Sequence, residues 1–256
     1  MNSVWASVIV FAGVFGGALL GLFIRTVLPG HHLSAEARDA VKLGAGLVAT
    51  LTALVLGLLI SSAKDSFDAT NSMVSQSGAK ILMMDRVLAN FGPETKDIRS
   101  LLQGFLNVRI SKTWPEKKDM LKKLPGGNFS GKLLDMEDIQ MLIRSLTPKS
   151  DMQRDLQAQA LQISIDLAQL RWMLFEQVQT SLPPIFLGVL IFWSTILFVC
   201  FGLLAPSNGT VIAVFLVCAI SVAGAVYLIL EMEKPLKGTM KISSAPMIKT
   251  LERLGR

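Results

Sequence analysis

From residue 43 to 63 the chain reads LGAGLVATLTALVLGLLISSA, uncharged throughout and closed by Lys64. A run of that length predicts a helix crossing a hydrocarbon core of about 30 Å. At about 100° per residue, Gly46, Thr50, Ala53, Gly57 and Ser61 share one stripe with Lys64 below them, while Val48, Val55, Leu59 and Ser62 lie opposite. One face is small and the other bulky. In lipid, small faces let backbones approach and pack by dispersion and weak hydrogen bonds, so this helix is expected inside an assembly, against neighbours or beside a pathway.

The same pattern recurs three times. Val4 to Ile24 is apolar, is bounded by Arg25, and carries Gly13, Gly17 and Gly21 four apart, a second small-residue stripe. Its length and the absence of a basic residue in Met1-Asn2-Ser3 argue against a cleaved secretory signal. Late in the chain, Ile185 to Leu204 and Gly209 to Leu230 are uncharged and are separated by Ala205-Pro206-Ser207-Asn208, where proline and asparagine favour reversal.

Between the two pairs the pattern turns polar and stays helical. The second span continues from Lys64 to Phe91 and stops at Gly92-Pro93, and Glu94 opens a helix to about Ser111 with Ile98, Leu101, Leu102 and Phe105 on one face. Residues 113–131 break the period through Pro115, Pro125, Gly126, Gly127, Asn128 and Gly131, and Lys117, Lys118, Lys122 and Lys123 make this loop basic. Helices are then predicted over Lys132 to Leu146 and Ser150 to Leu182, the latter opened by a capping box of Ser150 with Gln153. Leu156, Leu161, Ile163, Leu167, Leu170, Leu174 and Val178 are spaced to pack on the helix leaving the second span. After the fourth span, Met247, Ile248, Leu251 and Leu254 share one face of a short helix. That face suits either a membrane surface or docking on the helices of the same or a neighbouring subunit.

No segment alternates like a strand. The pattern therefore predicts an all-α integral membrane protein, with four transmembrane helices in two hairpins and a cytoplasmic helical stalk. Its parts are a first hairpin over 1–64, a helical bundle or stalk over 65–182, a second hairpin over 183–230 and a basic amphipathic tail over 231–256.

Charge sets the expected orientation. Lys234, Lys237, Lys241, Lys249, Arg253 and Arg256 crowd the tail, whereas the turn between spans three and four has no basic residue. Basic residues favour the cytoplasmic side, which puts both termini and the central segment in the cytoplasm of an inner-membrane, multi-pass protein. Arg25, Arg38 and Lys42 then lie outside, against the same rule. The formal charge of +6 reads as this bias, and nucleic acid is not an expected partner because no basic stripe is interleaved with aromatics.

Composition also excludes chemistries. The chain has no Gly-rich phosphate loop, Cys-x-x-Cys pair, HExxH helix or nucleophile with its base, so no enzyme and no cofactor are expected. His31 and His32 are adjacent and lack the i, i+4 spacing of a helical metal site; they read as solvated, and no metal site is expected. Cys200 and Cys218 read as small apolar residues. Spans three and four hold no carboxylate, which argues against an ion-coupled transporter.

Three patches resemble a known family. Thr50-Leu51, Ala53 to Leu59, Ser61, Ala63 and Phe67-Asp68 look like the second-span signature of bestrophin-like proteins, a group of four-span bacterial membrane proteins otherwise labelled a domain of unknown function. Asp85-Arg86, Leu88, Phe91-Gly92-Pro93-Glu94, Arg99 and Leu102 match that group's post-span helix pair, and Glu231, Glu233, Pro235, Gly238, Ser243, Ser244 and Pro246 match its tail. The resemblance implies kinship with bestrophins, pentameric ion channels whose second span lines the pore. Leu56-Gly57-Leu58-Leu59-Ile60 fits their pattern. Ser62-Ala63 stands where Phe-Arg is expected, Phe67-Asp68 comes one residue early, and no tryptophan pair follows.

Under that implication Gly46, Thr50, Ala53, Gly57, Ser61 and Lys64 are pore-lining or helix-packing candidates, and Asp65 and Asp68 are charges at the pore mouth. Thr50, Ser61 and Ser62 would contact an ion or bond to their own helix carbonyls. Lys64 would form a cationic ring at the mouth or snorkel to the interface. The expected partners are the lipid bilayer, further copies of the chain as a homo-oligomer, and permeating ions. The opposing reading is a non-conducting scaffold or signalling protein whose cytoplasmic helices and basic loop recruit a protein partner.

Overall fold

The structure, a computed structural model, describes residues 3–29, 34–124, 126, 127, 136–179 and 184–255. It is helical, with no strand among the described residues. Four helices are long and apolar enough to cross a membrane: α1 (Ser3–Val27), α2 (Ala35–Phe91), α7 (Pro184–Leu204) and α8 (Gly209–Met232). The others are α3 (Lys96–Thr113), α4 (Lys118–Leu121), α5 (Met136–Arg144), α6 (Asp151–Gln179) and α9 (Ala245–Arg253).

Most boundaries follow local chemistry. Gly92, at φ 137°, takes a conformation that L side chains rarely adopt, and α2 stops beside it. Pro93 then opens a short 3-10 turn before α3. Ser150 Oγ accepts the Gln153 N–H at 3.2 Å, one half of the capping box. The return bond differs from the expected one: Gln153 Oε1 accepts from Lys149 N, while Gln153 Nε2 donates to the last carbonyl of α2, on Phe91. The expected long loop instead holds a 3-10 turn at Pro115–Lys117 and the short α4, pinned because Trp114 is buried and its indole N–H donates to Ile242 O at 2.9 Å. Lys132 to Asp135 lie outside the described residues, and α5 ends at Arg144, short of Leu146.

The chain divides into two compact units. One comprises Met1–Phe67, Ser181–Lys234 and Gly238–Met240; the other comprises Asp68–Thr180, Pro235–Lys237 and Lys241–Arg256. α2 contributes residues 35–67 to the first and 68–91 to the second.

In the first unit α1 packs on α7 and α8. Val10, Val14, Ala18 and Leu22, at helical spacing, meet Leu190, Leu197, Ala219, Ala223, Val226 and Ile229 in one buried cluster. The glycine stripe of α1 permits this. A methyl on Gly17 would sit 3.0 Å from Thr195 O, and methyls on Gly21 and Gly202 would overlap the carbonyl oxygens of Val199 and Ala18. The α1 and α7 backbones therefore touch where only glycine fits, as small-residue packing in lipid requires. At the end of α8 the buried Glu231 accepts the Thr239 N–H, and a methyl on Gly238 would come within 2.6 Å of that carboxylate.

In the second unit Met84 and Leu88 of α2, Leu102, Leu106 and Ile110 of α3, Ile139 and Ile143 of α5, and Ile163 and Leu167 of α6 are buried. Ile163, Leu167 and Leu170 of α6 are buried, and Lys80 Nζ–Asp166 Oδ2 at 2.6 Å ties α6 to α2. Leu156, Leu161 and Leu174 are half-buried; the side chain of Val178 lies outside the described set. The C-terminal helix settles one alternative. Met247, Leu251 and Leu254 are buried, α9 packs on α3, and Thr250 closes on Gly78 of α2. That apolar face is docked within its own chain and is not available to a membrane surface.

Candidate functional site

The membrane part of α2 presents three faces. Ala45, Leu59 and Ala63 are buried in the first unit, flanked by the partly buried Val48, Ala49, Val55 and Leu56. Leu43, Leu47, Leu51, Leu54 and Leu58 form a second, exposed flank. The third face holds the small and polar residues: Gly46, Thr50, Ala53, Gly57, Ser61 and Lys64 are all exposed, as are Asp65 and Asp68 in the following turn. Ser62, expected on the bulky face, is exposed as well.

The two small-residue stripes thus have different fates. On α1, glycine is required by contact with α7; on α2, a methyl added to Gly46 or Gly57 would meet nothing within 4 Å. Coverage differs to match. Within its most apolar stretch α2 is 11% buried, against 33% for α1 and 28% each for α7 and α8. Among the described residues nothing fills the small face of α2 at Gly46 or Gly57.

Two threonine hydroxyls along this helix bond to their own backbone. Thr50 Oγ1 donates to Gly46 O at 3.0 Å and Thr52 Oγ1 to Val48 O at 2.7 Å, which removes an orphan donor without using the oxygen lone pairs. Thr50 is exposed, so its hydroxyl oxygen remains available as an acceptor. At the start of α2, Lys42 pairs with Asp39 at 2.9 Å.

The remaining candidates are dispersed. His31 and His32 lie outside the described residues. Cys200 is half-buried and Cys218 exposed, each a free thiol. Among the described residues no group of three His, Cys, Asp or Glu side chains could hold a metal ion. Lys117, Lys118, Lys122 and Lys123 are exposed, with Lys122 held by Asp119 at 3.0 Å. On α6, Trp172, Met173 and Phe175 form an exposed apolar patch, the two rings edge to face at 6.2 Å.

Sequence reasoning missed one buried ionic site. Asp85 is fully buried on α2 and receives Arg99 through Nε at 2.8 Å and Nη2 at 3.0 Å, with the Gly255 N–H adding a third bond at 3.1 Å. The carboxylate hydrogen bonds hold the Arg99 guanidinium above its ordinary range. The signal was present, because Asp85 falls between Ile81, Met84 and Leu88 on the apolar face of α2, where a charge needs a partner. Nearby, Gln103 Nε2 donates to Leu254 O at 3.1 Å, so both helices of this pair hold the C-terminal turn.

Residues 12–247 match the family model described as the bestrophin-like domain. No curated protein matches the chain, and no solved structure does.

Proposed function

The chain belongs to the bestrophin-like family, and from that premise we propose that it is an oligomeric ion channel of a bacterial inner membrane, its pathway lined by α2. The observation that carries this reading is the small face of α2. Glycine stands at 46 and 57 although no described residue crowds either position, which supports crowding or an open path supplied from outside the single subunit. Several copies brought together along that face would set Gly46, Thr50, Ala53, Gly57 and Ser61 around an axis. Thr50 would offer its lone pairs, and Lys64, Asp65 and Asp68 would ring the mouth. Close helix approach and exposed acceptor oxygens are what an ion needs to shed water without a large penalty.

In this reading the four spans form two hairpins, both termini and the stalk lie in the cytoplasm, and the leucine flank of α2 meets lipid or the next copy. The exposed Trp172, Met173 and Phe175 support a second reading, a non-conducting scaffold whose cytoplasmic helices bind a protein partner.

Chloride and potassium flux through liposomes holding the purified chain separates the two. The channel reading expects flux above protein-free liposomes and a reversal potential that moves with Lys64→Glu. Absence of flux from correctly assembled protein across voltage, pH and calcium would defeat it and favour the scaffold. Flux with an unchanged reversal potential would remove Lys64 from the pathway.

A further inference from the structure

Where α7 turns into α8, the first unit carries a shallow, open apolar depression of about 390 Å³, in which Val214 and Phe201 are exposed. Phe201, Leu204, Val211, Val214 and Phe215 line it together with Ala205, and Thr210 supplies its one polar side chain. Its walls are stiff. Phe198 meets Phe201 edge to face and lies beside Phe215, each pair 6.2 Å between centroids, and the contact of Gly21 with Gly202 fixes α7 on α1 one residue from Phe201.

At the rim sits a cation. Half-buried Arg25, in the last turn of α1, donates through Nη1 to the carbonyl oxygen of Ala205, a residue of the depression's wall. A guanidinium carries five N–H donors in a fixed fork, and this bond uses one of them to hold the group beside Ala205. An arginine free to snorkel would turn to the interface instead. Neither α1 nor the turn 205–208 has a carboxylate to compete. The acids nearest in sequence are Glu36 and Asp39, and Lys42 holds Asp39.

A ligand that satisfies both features is apolar along its length and anionic at one end. We infer that this depression binds an anionic phospholipid, one acyl chain lying between Phe201 and Phe215 and the headgroup phosphate on Arg25. Inorganic phosphate would match Arg25 and leave the apolar walls unfilled. A zwitterionic lipid would fill the walls with its phosphate already partly neutralised. Because lipid tails are as apolar as the depression, filling it provides little net drive. Preference among lipids therefore comes from the guanidinium, whose paired bonds to phosphate are among the stronger protein hydrogen bonds.

The experiment is native mass spectrometry of the full chain, released from mild detergent after exposure to equal amounts of dioleoyl phosphatidylglycerol and dioleoyl phosphatidylcholine. The expected result is a several-fold excess of phosphatidylglycerol adducts, reduced to parity by Arg25→Gln. Val214→Trp, at an exposed wall position, occupies the depression while keeping the charge and is expected to lower the adducts of both lipids by excluding the acyl chain. Circular dichroism checks that each variant folds. Parity in the unmodified chain would overturn the inference. So would a phosphatidylglycerol preference that survives both variants, or one that millimolar inorganic phosphate abolishes and Val214→Trp leaves intact.

Discussion

Two glycine-to-alanine changes distinguish a stripe that is filled from one that is open. At Gly21 the added methyl would overlap Val199 O and lie 2.9 Å from Leu203 N and 3.0 Å from Gly202 Cα. All three are backbone atoms, so no rotamer relieves the clash and α1 must move away from α7. Overpacking of this kind costs about 1–3 kcal/mol. A gap opened along the interface also forfeits roughly a quarter to a half of each dispersion well at Val14, Ala18 and Leu22, which are buried there. The total is about 2–4 kcal/mol, partly offset by the roughly 1 kcal/mol by which alanine is the better helix former. At Gly57 nothing lies within 4 Å, so the propensity term stands alone and favours the variant by up to about 1 kcal/mol. Reversible unfolding of detergent-dispersed monomer in mixed micelles, followed by helical circular dichroism, measures both. Gly21→Ala is expected to be destabilised and Gly57→Ala to match or exceed the unmodified chain. Equal destabilisation of the two, or a Gly21→Ala chain of unmodified stability, would refute the assignment of the stripes.

Three further outcomes follow from particular contacts. Asp85→Ala leaves Arg99 without its partner and Gly255 without its acceptor, a loss of about 3 kcal/mol for a broken buried pair; trypsin should then cut faster at Lys249 and Arg253, and an unchanged cleavage rate would show that Asp85 does not hold the tail. The Lys80 hydrogen bond, aided by Gln162, holds the Asp166 carboxyl below the ordinary aspartate range. A depressed carboxyl stabilises the fold above its unfolded pKa and stops doing so as pH falls through the folded value, so this contribution fades below about pH 4. Lys80→Met should flatten that part of the pH–stability curve, and superimposable curves would remove the pair from it. Gly57→Leu should lower the yield of assembled oligomer by size-exclusion chromatography with light scattering, whereas unchanged mass and yield would mean that the small face contacts no neighbour.

What the sequence determined is what depends on neighbouring residues. Sustained apolar runs set the four candidate spans, because helix length and hydropathy are local. Gly92 and Pro93 stopped α2 for the same reason, since one residue's allowed dihedrals suffice. The Ser150 cap was equally legible, though the return bond of Gln153 was not. The two small stripes show where this ends. Gly13, Gly17 and Gly21 read like Gly46, Ala53 and Gly57 in the sequence, yet Gly17 and Gly21 close on α7 while Gly46 and Gly57 meet no described residue. Face-by-face coverage depends on where other helices lie, and no spacing within one helix encodes that. The apolar side of α9 was equally ambiguous, because lipid and a protein groove are both sinks for Met247 and Leu251. The bonds that decided it reach from Gly255 to Asp85, 170 residues away, and only the folded chain brings a terminal amide to the buried charge that needs it.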